Sequence, residues 1–306
     1  MDRHSENSRD EMCTDNKNSN AIDAWPLGWK KEVKEKGKAI SSKMVFGSSV
    51  TQKPIASSNR HDLYYNMDNT RRGVALIFNH VNFGGMSKRH GTEHDRYRIV
   101  NVLKYLHFEP RVYNDLSYFQ ILDVLNAVAK ENHTDADCLI IVVMTHGNLG
   151  MLYARDQHYP VDVLWNKITG DKCPTLAGKP KLIFIQACRG YEVDDGVKLS
   201  SRAGDQVDAV TKNPTSYTIP ANADILVMYS TFAGYASFRI CQQGSWFIQS
   251  LCTELEQKAK THSLLDILTF TTGRVALDYV SSMTNPRTDN KKQIPSIVSH
   301  LTRLLH

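Results

Sequence analysis

From Arg72 onward the chain alternates unbroken apolar runs with stretches in which apolar residues recur every three or four positions. Gly73-Val74-Ala75-Leu76-Ile77-Phe78-Asn79, Cys138-Leu139-Ile140-Ile141-Val142-Val143-Met144, Lys181-Leu182-Ile183-Phe184-Ile185 and Ile225-Leu226-Val227-Met228-Tyr229 show little polar alternation. That is the form of a strand covered on both faces. Val112-Tyr113 is a weaker strand candidate. Gln293-Ile294-Pro295-Ser296-Ile297-Val298 reads as a further strand whose proline suits an edge. Helical spacing joins Tyr97, Val100, Leu103, Tyr105 and Leu106, then Ile121, Leu122, Leu125, Val128 and Ala129. It returns at Trp246, Phe247, Leu251 and Leu255 and at Leu264, Leu265, Ile267 and Leu268. Strands alternating with helices predict an α/β fold, a mostly parallel, doubly wound sheet with helices on both faces.

Two segments stand outside this pattern. Residues 1–60 are rich in Ser, Asn, Asp and Lys and cannot bury enough apolar surface to offset the entropy of ordering, so a mobile arm is expected there. The 31 residues 191–221 are polar and aperiodic, yet lie between two core strands. A connection of that length inside a compact domain is usually functional or disordered, and it offers a protease an accessible target.

Composition narrows the function classes. The chain has 306 residues, 41% of them hydrophobic, enough for a sizeable core. Its net charge of +5 is small, and the densest basic run, residues 30–38, mixes acids with bases and lacks stacking aromatics, so no nucleic-acid partner is implied. No stretch is long and apolar enough for a membrane span or a signal peptide. The six cysteines lack the spacing of a disulfide framework or zinc module, which favours a reducing, cytoplasmic setting, and no metal or organic cofactor is expected.

Active groups of doubly wound sheets collect at the carboxyl ends of parallel strands. Thr145-His146-Gly147 ends one predicted strand, and Gln186-Ala187-Cys188-Arg189-Gly190 ends a neighbouring one. A cysteine attacks an amide as its thiolate, and an imidazole at an adjacent strand end can take the proton, so Cys188 and His146 suffice for acyl transfer. The backbone N–H groups of Gly147 and Cys188 are the candidate oxyanion donors. A single cysteine after a buried strand is more often an inert small hydrophobe; what singles out Cys188 is the pentapeptide around it.

That pentapeptide matches the Q-A-C-[RQG]-G signature of caspases. Residues 71–79, 89–95, 234–239, 244–249 and 292–295 also resemble the family's blocks, in its order, so the resemblance spans about residue 65 to 306. It implies a three-layer αβα sandwich, mostly parallel with an antiparallel edge strand. It also implies an aspartate-specific cysteine endopeptidase, executioner-like with a short propeptide, of invertebrate type, activated by cleavage after Asp and acting in apoptosis. Arg89, Gln186 and Arg239 match the residues that hold the substrate aspartate at P1, the position before the cut bond, and the Ser87 carbonyl matches the group that orients the histidine. Ser237, Phe238 and Trp246 match further substrate-binding positions. Departures are Ala236 where a bulky aromatic is common, Phe238 in place of Trp, Ile240 in place of a polar residue, and the absence of aromatics from residues 281–288.

The same resemblance predicts three pieces: a disordered propeptide 1–23, a large subunit 24–208 ordered from about residue 65, and a small subunit 209–306. Cuts after Asp23, Asp208 and, second to it, Asp195 would produce them, and the product would be a homodimer of large–small pairs. The terminus freed after Asp23 would read Ala24-Trp25-Pro26-Leu27, similar to the tetrapeptide that inhibitor-of-apoptosis proteins capture. The alternative is a catalytically silent homologue that regulates other caspases.

Overall fold

The computed structural model describes residues 20–23, 62–196 and 220–306. Asp208, the 24–27 tetrapeptide, the basic run 30–38 and most of the 191–221 connection lie outside the described residues. The elements in order are β1 (Asn20–Ile22), β2 (Val74–Asn79), α1 (Thr92–Tyr105), β3 (Glu109–Asn114), α2 (Tyr118–Lys130), β4 (Leu139–Met144), β5 (Gly147–Asn148), β6 (Met151–Tyr153), β7 (His158–Pro160), β8 (Lys181–Gln186), β9 (Ile225–Tyr229), β10 (Phe238–Ile240), β11 (Gly244–Ser245), α3 (Trp246–Lys258), α4 (Leu264–Asp278) and β12 (Ser296–Ser299).

Six strands form the central sheet in the order β12-β9-β8-β4-β2-β3. Five run parallel, and β12, just after Pro295, closes one edge antiparallel to β9. The unbroken apolar runs have a direct cause. Successive side chains of β2, β4 and β8 point to opposite faces, and both faces are covered. Ala75, Ile77, Ile140, Val142, Met144, Leu182 and Phe184 pack with Ile99, Val102 and Leu103 of α1, Leu251 of α3 and Leu268 of α4. Val74, Leu76, Phe78, Ile141, Val143, Ile183 and Ile185 pack with Ile121, Leu125 and Val128 of α2 and with residues 152–176. At about 1.5–3 kcal/mol for each fully buried aliphatic, these two layers are the main favourable term of the fold.

Local signals set the helix starts. Ser117 and Gln120 form a reciprocal capping box on α2, and Ser263 with Asp266 does the same on α4. At α1 the N-cap is Gly91 at φ 85°, where a Cβ would lie 2.1 Å from the Cys241 carbonyl oxygen, so only glycine lets α1 start this close to the loop after β10. Cys138, Cys173, Cys188 and Cys252 are buried free thiols. Cys241 is disulfide-bonded, which the scattered cysteine spacing did not foretell.

The end of the 1–23 arm differs from the mobile chain expected. Residues 20–22 form β1, which pairs antiparallel with β10 in a small sheet β1-β10-β11, placing Asn20 opposite Ile240, Ala21 opposite Arg239 and Ile22 opposite Phe238. Residues 20–23 bury too little to fold alone; a strand edge and a buried charge site supply what they lack.

Candidate active site

Register brings the strand ends together. Met144 on β4 pairs in parallel with Gln186 on β8, so His146 and Cys188, each two residues further, leave adjacent strands at the same level. Asn79 of β2 pairs with Met144 as well, and the loop that follows carries His80, Phe83, Ser87 and Arg89 to the same edge. Chain direction at three parallel strands therefore assembles the site.

His146 Nε2 lies 2.9 Å from the Ser87 carbonyl oxygen, and the ring packs against Phe83 with centroids 4.7 Å apart. A carbonyl only accepts, so Nε2 carries the hydrogen and the neutral ring keeps its lone pair on Nδ1. Nδ1 is buried and has no hydrogen-bond partner among the described residues. Cys188 Sγ accepts from the Ser237 N–H at 3.0 Å.

The end of β1 fills the cleft. Arg89 grips the Asp23 carboxylate bidentately, Nε to Oδ1 at 2.8 Å and Nη2 to Oδ2 at 2.9 Å. Arg239 Nη2 donates to Oδ1 at 2.9 Å, and Gln186 Nε2 donates to Oδ2 at 2.7 Å. The side chains of Arg89 and Asp23 are both 0% exposed, so water screens none of this. The Asp23 carbonyl oxygen faces the N–H groups of Gly147 and Cys188 at 3.3 and 3.4 Å, and Asp23 N donates to Ser237 O at 3.1 Å. Neighbours fix the donors: Arg89 Nη1 is tied to His80 O and Thr92 Oγ1, Arg239 Nη1 to His90 O, and Gln186 Nε2 also to Ser237 Oγ.

Charge follows burial. Burial alone would raise the Asp23 pKa, but Arg89 and Arg239 outweigh it and hold the carboxylate ionised, well below its ordinary range. Burial lowers the His146 pKa to about 4, against the opposing pull of Asp23, and it raises the Cys188 thiol well above its ordinary value, with Asp23 adding to the rise. With the cleft filled, thiol and imidazole are both neutral. In this arrangement the thiol donates to the Ser237 carbonyl at 3.7 Å and is not hydrogen-bonded to Nδ1, so a proton passes from Sγ to Nδ1 only after the thiol turns toward the imidazole. The carbonyl that sulfur would attack already has its oxygen facing two backbone donors.

Of the residues expected from sequence, His146, Gly147, Cys188, Arg89, Gln186, Ser237 and Arg239 converge on Asp23. Phe238 and Trp246 stack 4.8 Å apart beside Ile22. Asp195 lies apart, its side chain 81% exposed and ion-paired with Lys291. Two features were missed. Tyr279 stacks on Trp246 at 5.2 Å, so an aromatic does line this side of the cleft, just before the stretch 281–288 that lacks them. The Ser282 carbonyl accepts from Asn20 Nδ2 at 3.2 Å, and a backbone acceptor has no side-chain signature to find it by. Among the described residues no cluster of His, Cys, Asp or Glu could hold a metal, and no helix is long and apolar enough to cross a membrane.

The family model described as Caspase domain matches residues 72–306. Caspase-1 of Spodoptera frugiperda is 46% identical over 250 residues, covering 81% of this chain and 82% of that protein. Caspase drICE of Drosophila melanogaster is 43% identical over 263 residues, covering 84% and 77%. The crystal structure of the Spodoptera Caspase-1 superposes with a TM-score of 0.76 at 44% identity, covering 84% of this chain and 98% of that one. The chain belongs to the caspase family and is a cysteine-type endopeptidase of its invertebrate executioner type.

Proposed function

We propose that this endopeptidase cuts protein substrates after aspartate, that it is made as a zymogen, and that its own arm is one substrate, cut after Asp23. The observation that carries the reading is the buried carboxylate of Asp23 between two guanidinium groups, with the carbonyl of the same residue on the amides of Gly147 and Cys188. In the reaction, Cys188 Sγ gives its proton to His146 Nδ1 and bonds to the Asp23 carbonyl carbon. The oxygen gains negative charge against the two amides. The imidazolium then protonates the leaving nitrogen of Ala24, and the thioester is hydrolysed by water whose proton His146 takes.

Further cuts after Asp208 and Asp195 would separate a large subunit 24–208 from a small subunit 209–306, and two such pairs would form the active homodimer. An effector role in apoptosis, in the cytoplasm, follows from the same family reading. The freed terminus Ala24-Trp25-Pro26-Leu27 would be a ligand for an inhibitor-of-apoptosis protein.

The test is hydrolysis of fluorogenic tetrapeptides ending in Asp, Glu or Asn, beside Cys188→Ala, with mass spectrometry of the chain's own termini. Cleavage after Asp and a new terminus at Ala24, both absent in the variant, would support the reading. Absence of any cleavage, even after the 208 bond has been cut in trans, would favour the silent regulator.

A further inference from the structure

Asn20 lies three residues before Asp23 and occupies the P4 position of a substrate read in this register. Its side chain is buried, the residue being 6% exposed. It lies opposite Ile240, beside an apolar group that contains Trp246, Tyr279, Met283 and Ile240. One polar contact reaches it among the described residues: Nδ2 donates to the Ser282 carbonyl oxygen at 3.2 Å. Asn20 Oδ1 is buried without a partner, and so is the indole N–H of Trp246.

We propose that this pocket selects a neutral carboxamide at P4 and disfavours a carboxylate, with the Ser282 carbonyl as the deciding group; the inference rests on the reading of Asn20–Asp23 as substrate. A carbonyl only accepts, so an amide N–H satisfies it, whereas a carboxylate sets a charged acceptor against its lone pairs. The carboxylate must also leave water for a pocket walled by Ile240 and aromatic rings, where among the described residues no cation is hydrogen-bonded to the Asn20 side chain. An amide supplies the donor that Ser282 O takes and brings no charge out of water. Chemistry at P4 thus opposes chemistry at P1, where two guanidinium groups demand the charge that P4 rejects.

The experiment uses the full chain after self-processing and compares kcat/KM for fluorogenic Asn-Ala-Ile-Asp, Gln-Ala-Ile-Asp, Ala-Ala-Ile-Asp and Asp-Ala-Ile-Asp. Asn at P4 is expected to exceed Asp by about ten- to hundred-fold, the effect of leaving buried polar groups opposed or unpaired. Ala should fall between them. In trans, the same enzyme should cut a Cys188→Ala chain carrying Asn20→Asp after Asp23 at least about tenfold more slowly than Cys188→Ala alone. Ile240→Asn, which sets a donor beside P4, should shrink the Asn-to-Asp ratio. Equal or faster cleavage with Asp at P4 overturns the selectivity and leaves the P1 reading standing. No cleavage after Asp in any peptide overturns both.

Discussion

Replacing the P1 aspartate of a peptide substrate by asparagine is the sharpest probe of the carboxylate site. Each Asp23 oxygen takes two donors: Oδ1 from Arg89 Nε and Arg239 Nη2, Oδ2 from Arg89 Nη2 and Gln186 Nε2. An asparagine must present NH2 to one of those pairs. Either orientation sets donor against donor twice, with at least one guanidinium among the opposed groups. Hydrogen bonds to charged groups contribute about 1.5–3 kcal/mol each. Losing two, with no solvent to compensate at a site 0% exposed, costs about 3–6 kcal/mol. At 1.4 kcal/mol per factor of ten, kcat/KM should drop by roughly 10² to 10⁴. The assay is initial-rate hydrolysis of Asn-Ala-Ile-Asp and Asn-Ala-Ile-Asn fluorogenic peptides at subsaturating concentration. If asparagine at P1 is cut within tenfold of aspartate, the carboxylate's four donors do not set specificity and the reasoning fails.

Three further outcomes are expected. Gly147→Ala would place a Cβ 2.4 Å from the Cys188 carbonyl oxygen and 2.9 Å from Ala187 Cβ, displacing an oxyanion donor; kcat should fall by about 10² or more while the circular dichroism spectrum is retained. Burial raises the Asp95 pKa from 3.8 to about 6, although Gln249 and Ser245 donate to its carboxylate. The folded protein therefore holds that proton more tightly than the unfolded chain, and this stabilisation, full below pH 3.8, is lost as pH rises through about 6. Asp95→Asn keeps an acceptor for the Ser245 N–H and removes the ionisation, so urea unfolding from pH 4 to 7 should show the variant gaining about 2 kcal/mol relative to the parent; parallel curves would contradict this. Tyr65→Phe removes the 2.7 Å bond to buried Asp224 and the acceptor for the Thr302 N–H, contacts that tie residue 65 to the C-terminal segment. It should destabilise the fold by about 1–3 kcal/mol in the same assay.

The parts of this molecule legible from sequence are those whose cause is local or periodic. β2, β4, β8 and β9 announced themselves because strands buried on both faces must be apolar at every position, and α2 and α4 because one face alone is buried. β3 was faint for the converse reason: at the sheet edge its residues are partly exposed, and Pro110 and Arg111 sit in register with β2 without breaking it. His146 and Cys188 could be paired because parallel strands deliver their carboxyl ends to one edge. Residues 20–23 were misjudged because composition describes what a segment can do alone. Nothing between Asn20 and Asp23 is apolar enough to fold unaided, yet β10 offers it a free strand edge and Arg89, Arg239 and Gln186 offer its last side chain a charge-matched site. Such a segment acquires structure from the cleft that it fills. The same logic explains the buried, neutral dyad: the carboxylate brings its charge into the site already matched by the two arginines, and its arrival excludes the water that would otherwise favour thiolate and imidazolium. Binding at the arginines and proton transfer at the dyad are therefore coupled through desolvation, and a substrate that cannot satisfy the arginines should also fail to place its carbonyl on the Gly147 and Cys188 amides.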